Sequence, residues 1–240
     1  MLHLSRHQIE AIGESVLQDF AGQAGQDAGC IGPTDINMLA GKYLGLGIQY
    51  RKLSDDGRTW GLTVYGGMVL ELSFHDGNEL ISTQGDTIFL DEKLQRSENI
   101  RQRRFTAAHE CAHQILARIA ERKTGYNFRR VFEPGKRYTC NEIKTASDWC
   151  EWQANVLGAA LLMPTSKVAQ YMTIGNKPCK LTLFGDRFNY TDYTKVKELS
   201  EMFVVSFSAM KIRLKELGFI EYKPQSEYAE PLDIFVDRDA

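Results

Sequence analysis

Arg104-Phe105-Thr106-Ala107-Ala108-His109-Glu110-Cys111-Ala112-His113-Gln114-Ile115-Leu116 is the stretch on which the reading of this chain turns. Phe105, Ala108, Ala112, Ile115, Leu116 and Ile119 recur at helical spacing, which predicts an α-helix running to about Arg122. Residues four apart share a helix face, so His109 and His113 can both reach one metal ion. Glu110 is rotated off that line and is left free to act on water as a base. The small side chains of Ala107, Ala108, Cys111 and Ala112 leave room for an ion and for a second helix. The plainer reading is a helix with two half-buried histidines and a surface glutamate. A carboxylate further along the chain weighs against it, because two histidines and a carboxylate form a zinc-binding set.

That carboxylate lies in the next helical segment, which Ser147-Asp148 opens and Pro164 closes. Glu151 and Asn155 share a face with Gly158, Ala159 and Leu162. A carboxylate among small and apolar residues is costly to bury unless it is paired or bound to a cation. The alternatives are that Glu151 faces solvent or pairs with an arginine. Asp148 is a rival ligand, but its place in the first turn suits capping. Asn155, one turn from Glu151, is the candidate for orienting a ligand.

Phe105-Thr106-x-x-His109-Glu110-x-x-His113, followed by Glu151-x-x-Ala154-Asn155 and Leu161-Leu162-Met163-Pro164, resembles the ImmA/IrrE family of metallopeptidases. The resemblance is close from about 103 to 164 and looser from about 9 to 220. It implies a zincin-like core with one zinc ion, manganese being the alternative, held by His109, His113 and Glu151. It also implies a protein substrate, a helix-turn-helix transcriptional repressor cut once to relieve repression in a mobile-element or stress response. That family often carries Glu where this chain has Gln153, which leaves Glu151 as the only carboxylate of that motif.

Composition sets the outer bounds. The 240 residues are 43% hydrophobic and 25% charged, which fits one large globular domain or two small ones. A net charge of −2 gives no overall pull toward nucleic acid or an anionic membrane. No apolar run is long enough to span a bilayer, and the first residues do not read as a signal peptide. The five cysteines are an odd number without a Cys-x-x-Cys pair, which fits a reduced, cytoplasmic protein. Cys140 and Cys150 match no zinc spacing and are read as single thiols.

The expected fold is α+β: a zincin-like metallopeptidase core with a small antiparallel sheet, and a C-terminal helical segment of helix-turn-helix type. The boundaries are 1–170 for the core, 171–220 for the helical segment and 221–240 for a surface tail. Arg6 to Phe20 reads as an amphipathic helix, and Pro33-Thr34-Asp35 opens a second one to about Tyr43. From Gly47 to Leu90 the period changes to two, which predicts three to five antiparallel strands ahead of the metal helix. Gly66-Gly67 is read as a hairpin connection, and Thr87 to Asp91 as a strand able to add substrate at its side. Lys123 to Lys144 reads as a long loop where a lid could lie. In the last third, Ser206 is the expected N-cap of a second helix. Lys211, Arg213 and Lys215 are candidates for phosphate contacts, although a solvated face is the commoner fate of three such cations. Two other functions stand beside the peptidase: a non-catalytic, metal-containing regulator that binds a repressor or DNA, and a toxin-like or self-processing protease.

Overall fold

The structure is a computed structural model that describes residues 3–23, 32–67, 69–120, 127–130, 146–174 and 177–228. The chain divides into two compact units, Met1–Pro164 and Thr165–Ala240. The first contains α1 (Arg6–Gln23), α2 (Ile36–Met38) with a π-helical continuation (Leu39–Tyr43), β1 (Gly47–Arg51), β2 (Gly61–Val64), β3 (Val69–Phe74), β4 (Gly77–Ser82) and β5 (Thr87–Asp91). Helix α3 (Ile100–Ile119), β6 (Asn127–Arg130) and α4 (Ala146–Leu162) complete it. The whole is mixed α and β, as expected.

The sheet differs from the expected one. Its strand order is β1-β5-β2-β6, and β1 runs parallel to β5 while the other pairs are antiparallel. The chain from 52 to 86 crosses over between β1 and β5, so the two enter the sheet in the same direction. β6 arrives after α3, from within the segment read as a loop; the rest of 123–144, Cys140 included, lies outside the described residues. Gly66-Gly67 is not a hairpin connection. β2 has β5 and β6 on its two sides, so β3 pairs with β4 instead, around the turn at His75-Asp76. β5 likewise has β1 and β2 on either side, which rules out the expectation that substrate adds there as a strand.

Strand alternation explains why β2 is buried along its whole length. Leu62 and Val64 join Leu53, Leu70, Leu72, Ile81 and Phe89 in one core cluster, so the β3–β4 hairpin covers one face of the sheet. Each such side chain contributes about 2 kcal/mol by leaving water. The intervening residues turn to α3. Thr63 Oγ1 donates to the Glu110 carbonyl (3.3 Å) and the Tyr65 hydroxyl to the His113 carbonyl (3.3 Å). Gln114 Nε2 donates to the Val64 carbonyl (3.0 Å), and Arg118 bonds Asp86 at 3.0 Å. Two arginines at the start of α3 reach backbone: Arg103 donates to the Leu94 and Gln95 carbonyls, Arg104 to that of Thr34.

Helix α4 lies between α1 and α3. Its contact with α1 is close at Gly13, where a Cβ would stand 3.0 Å from that of Ala160.

The second unit comprises α5 (Thr165–Tyr171), β7 (Thr173–Ile174), β8 (Lys177–Pro178), β9 (Leu181–Phe184), β10 (Arg187–Phe188), α6 (Tyr190–Met202), α7 (Phe207–Glu216) and β11 (Ile220–Lys223). Two helices joined by a short turn are present, and Ser206 Oγ caps α7 by accepting from the Ala209 amide (3.1 Å). Val204, at φ 52°, takes the left-handed position that closes α6, with its amide on the Glu201 carbonyl and the Val205 amide on that of Ser200. The region is not wholly helical. β9 pairs with β10 and with β11, so residues 221–223, expected in the tail, belong to a sheet. Residues 229–240 lie outside the described residues. Among the described residues no helix is long and apolar enough to cross a membrane.

Candidate metal centre

Helix α3 brings His109 and His113 to its side facing α4, one turn apart, with their Nε2 atoms 3.0 Å from each other. The Glu151 carboxylate reaches them from α4, with Oε2 at 3.3 Å from His109 Nε2 and Oε1 at 3.8 Å from His113 Nε2. One ligand atom from each residue lies within 4.8 Å of the other two. Zinc bonds of about 2.0–2.1 Å in a tetrahedron place neighbouring ligand atoms about 3.3 Å apart, so the donor set and its spacing suit one such ion. The histidines are buried, 3% and 4% exposed, while the Glu151 side chain is 16% exposed.

Asn155 supplies the next layer. Its Oδ1 lies 3.1 Å from His109 Nδ1 and, being an acceptor, requires the proton on that nitrogen. The lone pair is then on Nε2, which points at the other two ligands. Asn155→Ala is expected to lower zinc affinity by about 10- to 100-fold, as loss of such partners generally does. A chelator-competition titration measures this.

Glycine sets the spacing between the two ligand helices. A Cβ on Gly158 would stand 3.2 Å from both Cα and N of His109 and 3.3 Å from the Ala108 carbonyl carbon. These are backbone atoms and cannot rotate away. Gly158→Val is expected to cost about 1–3 kcal/mol of stability by overpacking and to weaken zinc binding with it. Thermal melting with and without zinc reads both effects.

Glu110 is 2% exposed and sits over β2. Gln153 belongs to the opposite face of α4. It is buried, and its Oε1 accepts from the Leu4 amide (3.2 Å) rather than turning to the ligands. The His3 ring packs tilted against Trp149, and Arg6, the first residue of α1, lies over Trp152, so the start of the chain is tied to the same face. Cys111 is buried and burial raises its thiol pKa far above the ordinary range, which suits packing rather than ligation. In the second unit Arg213 is buried against Thr165 Oγ1 (3.1 Å). Lys211 and Lys215 lie over the rings of Phe188 and Tyr222. Arg213 is therefore not presented to a phosphate.

The sequence alone does not mark Gly61 and Thr63 of β2, or Tyr65 just beyond it, as the residues that meet α3. Their alternation with Leu62 and Val64 was the available signal, but it does not say which element the polar side meets. Gly158 was visible on the Glu151 face, without its role as the point of closest approach.

A metal-ligand group on two packed helices, with a buried glutamate beside one histidine, is an arrangement suited to hydrolysis. Residues 64–215 match a peptidase family model, described as the IrrE N-terminal-like domain. The match spans well over half of the chain, and the protein belongs to this family. No curated protein matches the chain.

Proposed function

We propose that the protein is a zinc-dependent endopeptidase with a zincin-like core over 1–170, which cleaves a helix-turn-helix transcriptional repressor in the cytoplasm and so relieves repression. The observation that carries the peptidase reading is the convergence of His109, His113 and Glu151 within 4.8 Å. The family membership supports a protein substrate, and the resemblance to ImmA/IrrE proteins supports a repressor. A zinc ion held there, or manganese in its place, would supply Lewis-acid polarisation of the scissile carbonyl and would lower the pKa of water toward about 7. His109, His113 and Glu151 hold the ion, and Asn155 fixes the tautomer of His109. Glu110 takes the proton of the attacking water and returns it to the leaving amine. The α6–α7 pair, with its four-residue connection 203–206, supports reading the helical part of 171–220 as a helix-turn-helix-like segment.

The test is co-expression of the protein, or of its Glu110→Gln variant, with the helix-turn-helix repressor encoded beside its gene. The expected result is one cut in the repressor, seen by intact mass, with the wild type alone. An intact repressor with both proteins counts against it as the substrate.

A further inference from the structure

The glutamate that serves as base in the proposed reaction lies against strand β2, and β2 carries no side chain at the point of contact. A Cβ on Gly61 would run into Glu110 Oε1; it would also stand 3.0 Å from Glu110 Cδ and 2.7 Å from Thr106 Cγ2. The strand cannot step back. Gly61 is paired with Leu90 of β5 on one side and with Arg130 of β6 on the other. Glu110 cannot swing into solvent, because it is buried. Thr106, one turn earlier on α3, closes the slot with its methyl group, and the Thr63 hydroxyl holds the carbonyl of Glu110 itself. The atoms nearest the added Cβ belong to Glu110 and Thr106, and none to the three metal ligands.

We infer that Gly61 is a positioning residue for Glu110: the missing side chain leaves the space into which the carboxylate extends, and the backbone of β2 sets where it stops. The catalytic consequence rests on the peptidase reading, in which Glu110 must meet water beside the His109–His113–Glu151 group. The steric relation between Gly61 and Glu110 does not depend on it. A methyl group at this position forces the end of a flexible side chain to move, and that end is the reacting carboxylate.

The experiment is a double-mutant cycle on the full chain: wild type, Gly61→Ala, Glu110→Asp and the two together. Glu110→Asp withdraws the carboxylate by one methylene and so removes the collision. Three quantities are read: zinc bound by titration, Tm of the metal-free protein, and kcat and KM on the repressor of the proposed function. Gly61→Ala in the wild-type background is expected to keep its zinc, with affinity within about threefold, and to lose about 100-fold in kcat with KM little changed. It should lower the metal-free Tm by roughly 4 °C. In the Glu110→Asp background the losses in kcat and Tm from Gly61→Ala should fall to less than half. Equal losses in the two backgrounds overturn the inference, as does loss of zinc in parallel with activity. A wild type that takes up no zinc and leaves the repressor intact overturns the peptidase reading instead. The Tm cycle, read without metal, still decides whether Gly61 and Glu110 are coupled.

Discussion

Glu110→Gln is expected to keep zinc bound at wild-type stoichiometry and to lower peptide cleavage by about a thousandfold, within the range that general acid–base catalysis contributes. The amide fills the same volume over β2, so the packing of Gly61 and Thr106 around it is undisturbed. It cannot accept a proton from water, and that is the function assigned to the carboxylate. The loss should fall on kcat, with KM close to wild type, because the group acts on the reaction rather than on substrate binding. Steady-state cleavage of the repressor, together with zinc content, checks both halves. Full activity in this variant would remove Glu110 from the mechanism, and loss of zinc would make it part of the metal's support.

Glu151→Ala is expected to have the opposite signature. Removing the carboxylate that stands 3.3 Å from His109 and 3.8 Å from His113 leaves two imidazoles for the ion. Zinc affinity should fall by more than the roughly 10- to 100-fold expected for an outer partner such as Asn155, because a bond to the metal itself is lost. Activity should return in part at high zinc concentration, which Glu110→Gln cannot do. A chelator-buffered titration of zinc against activity separates the two cases. Unchanged affinity would exclude Glu151 as a ligand and reopen the choice of carboxylate on α4.

The helix face on which each of these two glutamates lies could be read from the sequence, because it is local. His109, Glu110 and His113 lie within two turns of one helix, and helical spacing alone puts the two histidines on one face and the glutamate beside it. Glu151 and Asn155 share a face of α4 for the same reason. What could not be read is pairing between segments distant in the chain. Period-two alternation marked strands between 47 and 90, but not that β2 sits between β5 and β6, nor that β1 and β5 are parallel. The substrate-addition site proposed at 87–91 failed on that point: the stretch is a strand, but both its sides are already paired. Gly61 looks like any glycine at a strand start until α3 is placed over it. In the second unit, the helix start at Ser206 was legible from capping chemistry. The short strands β9 and β11 were not, because four residues each carry too little pattern before they meet.

The most direct measurement of the metal centre is calorimetric titration of zinc into metal-free wild type, repeated with His113→Ala. One saturable equivalent, accompanied by proton release and lost in the variant, is the expected result. No saturable uptake by the wild type, or uptake unaltered by His113→Ala, would contradict a metal site built from His109, His113 and Glu151.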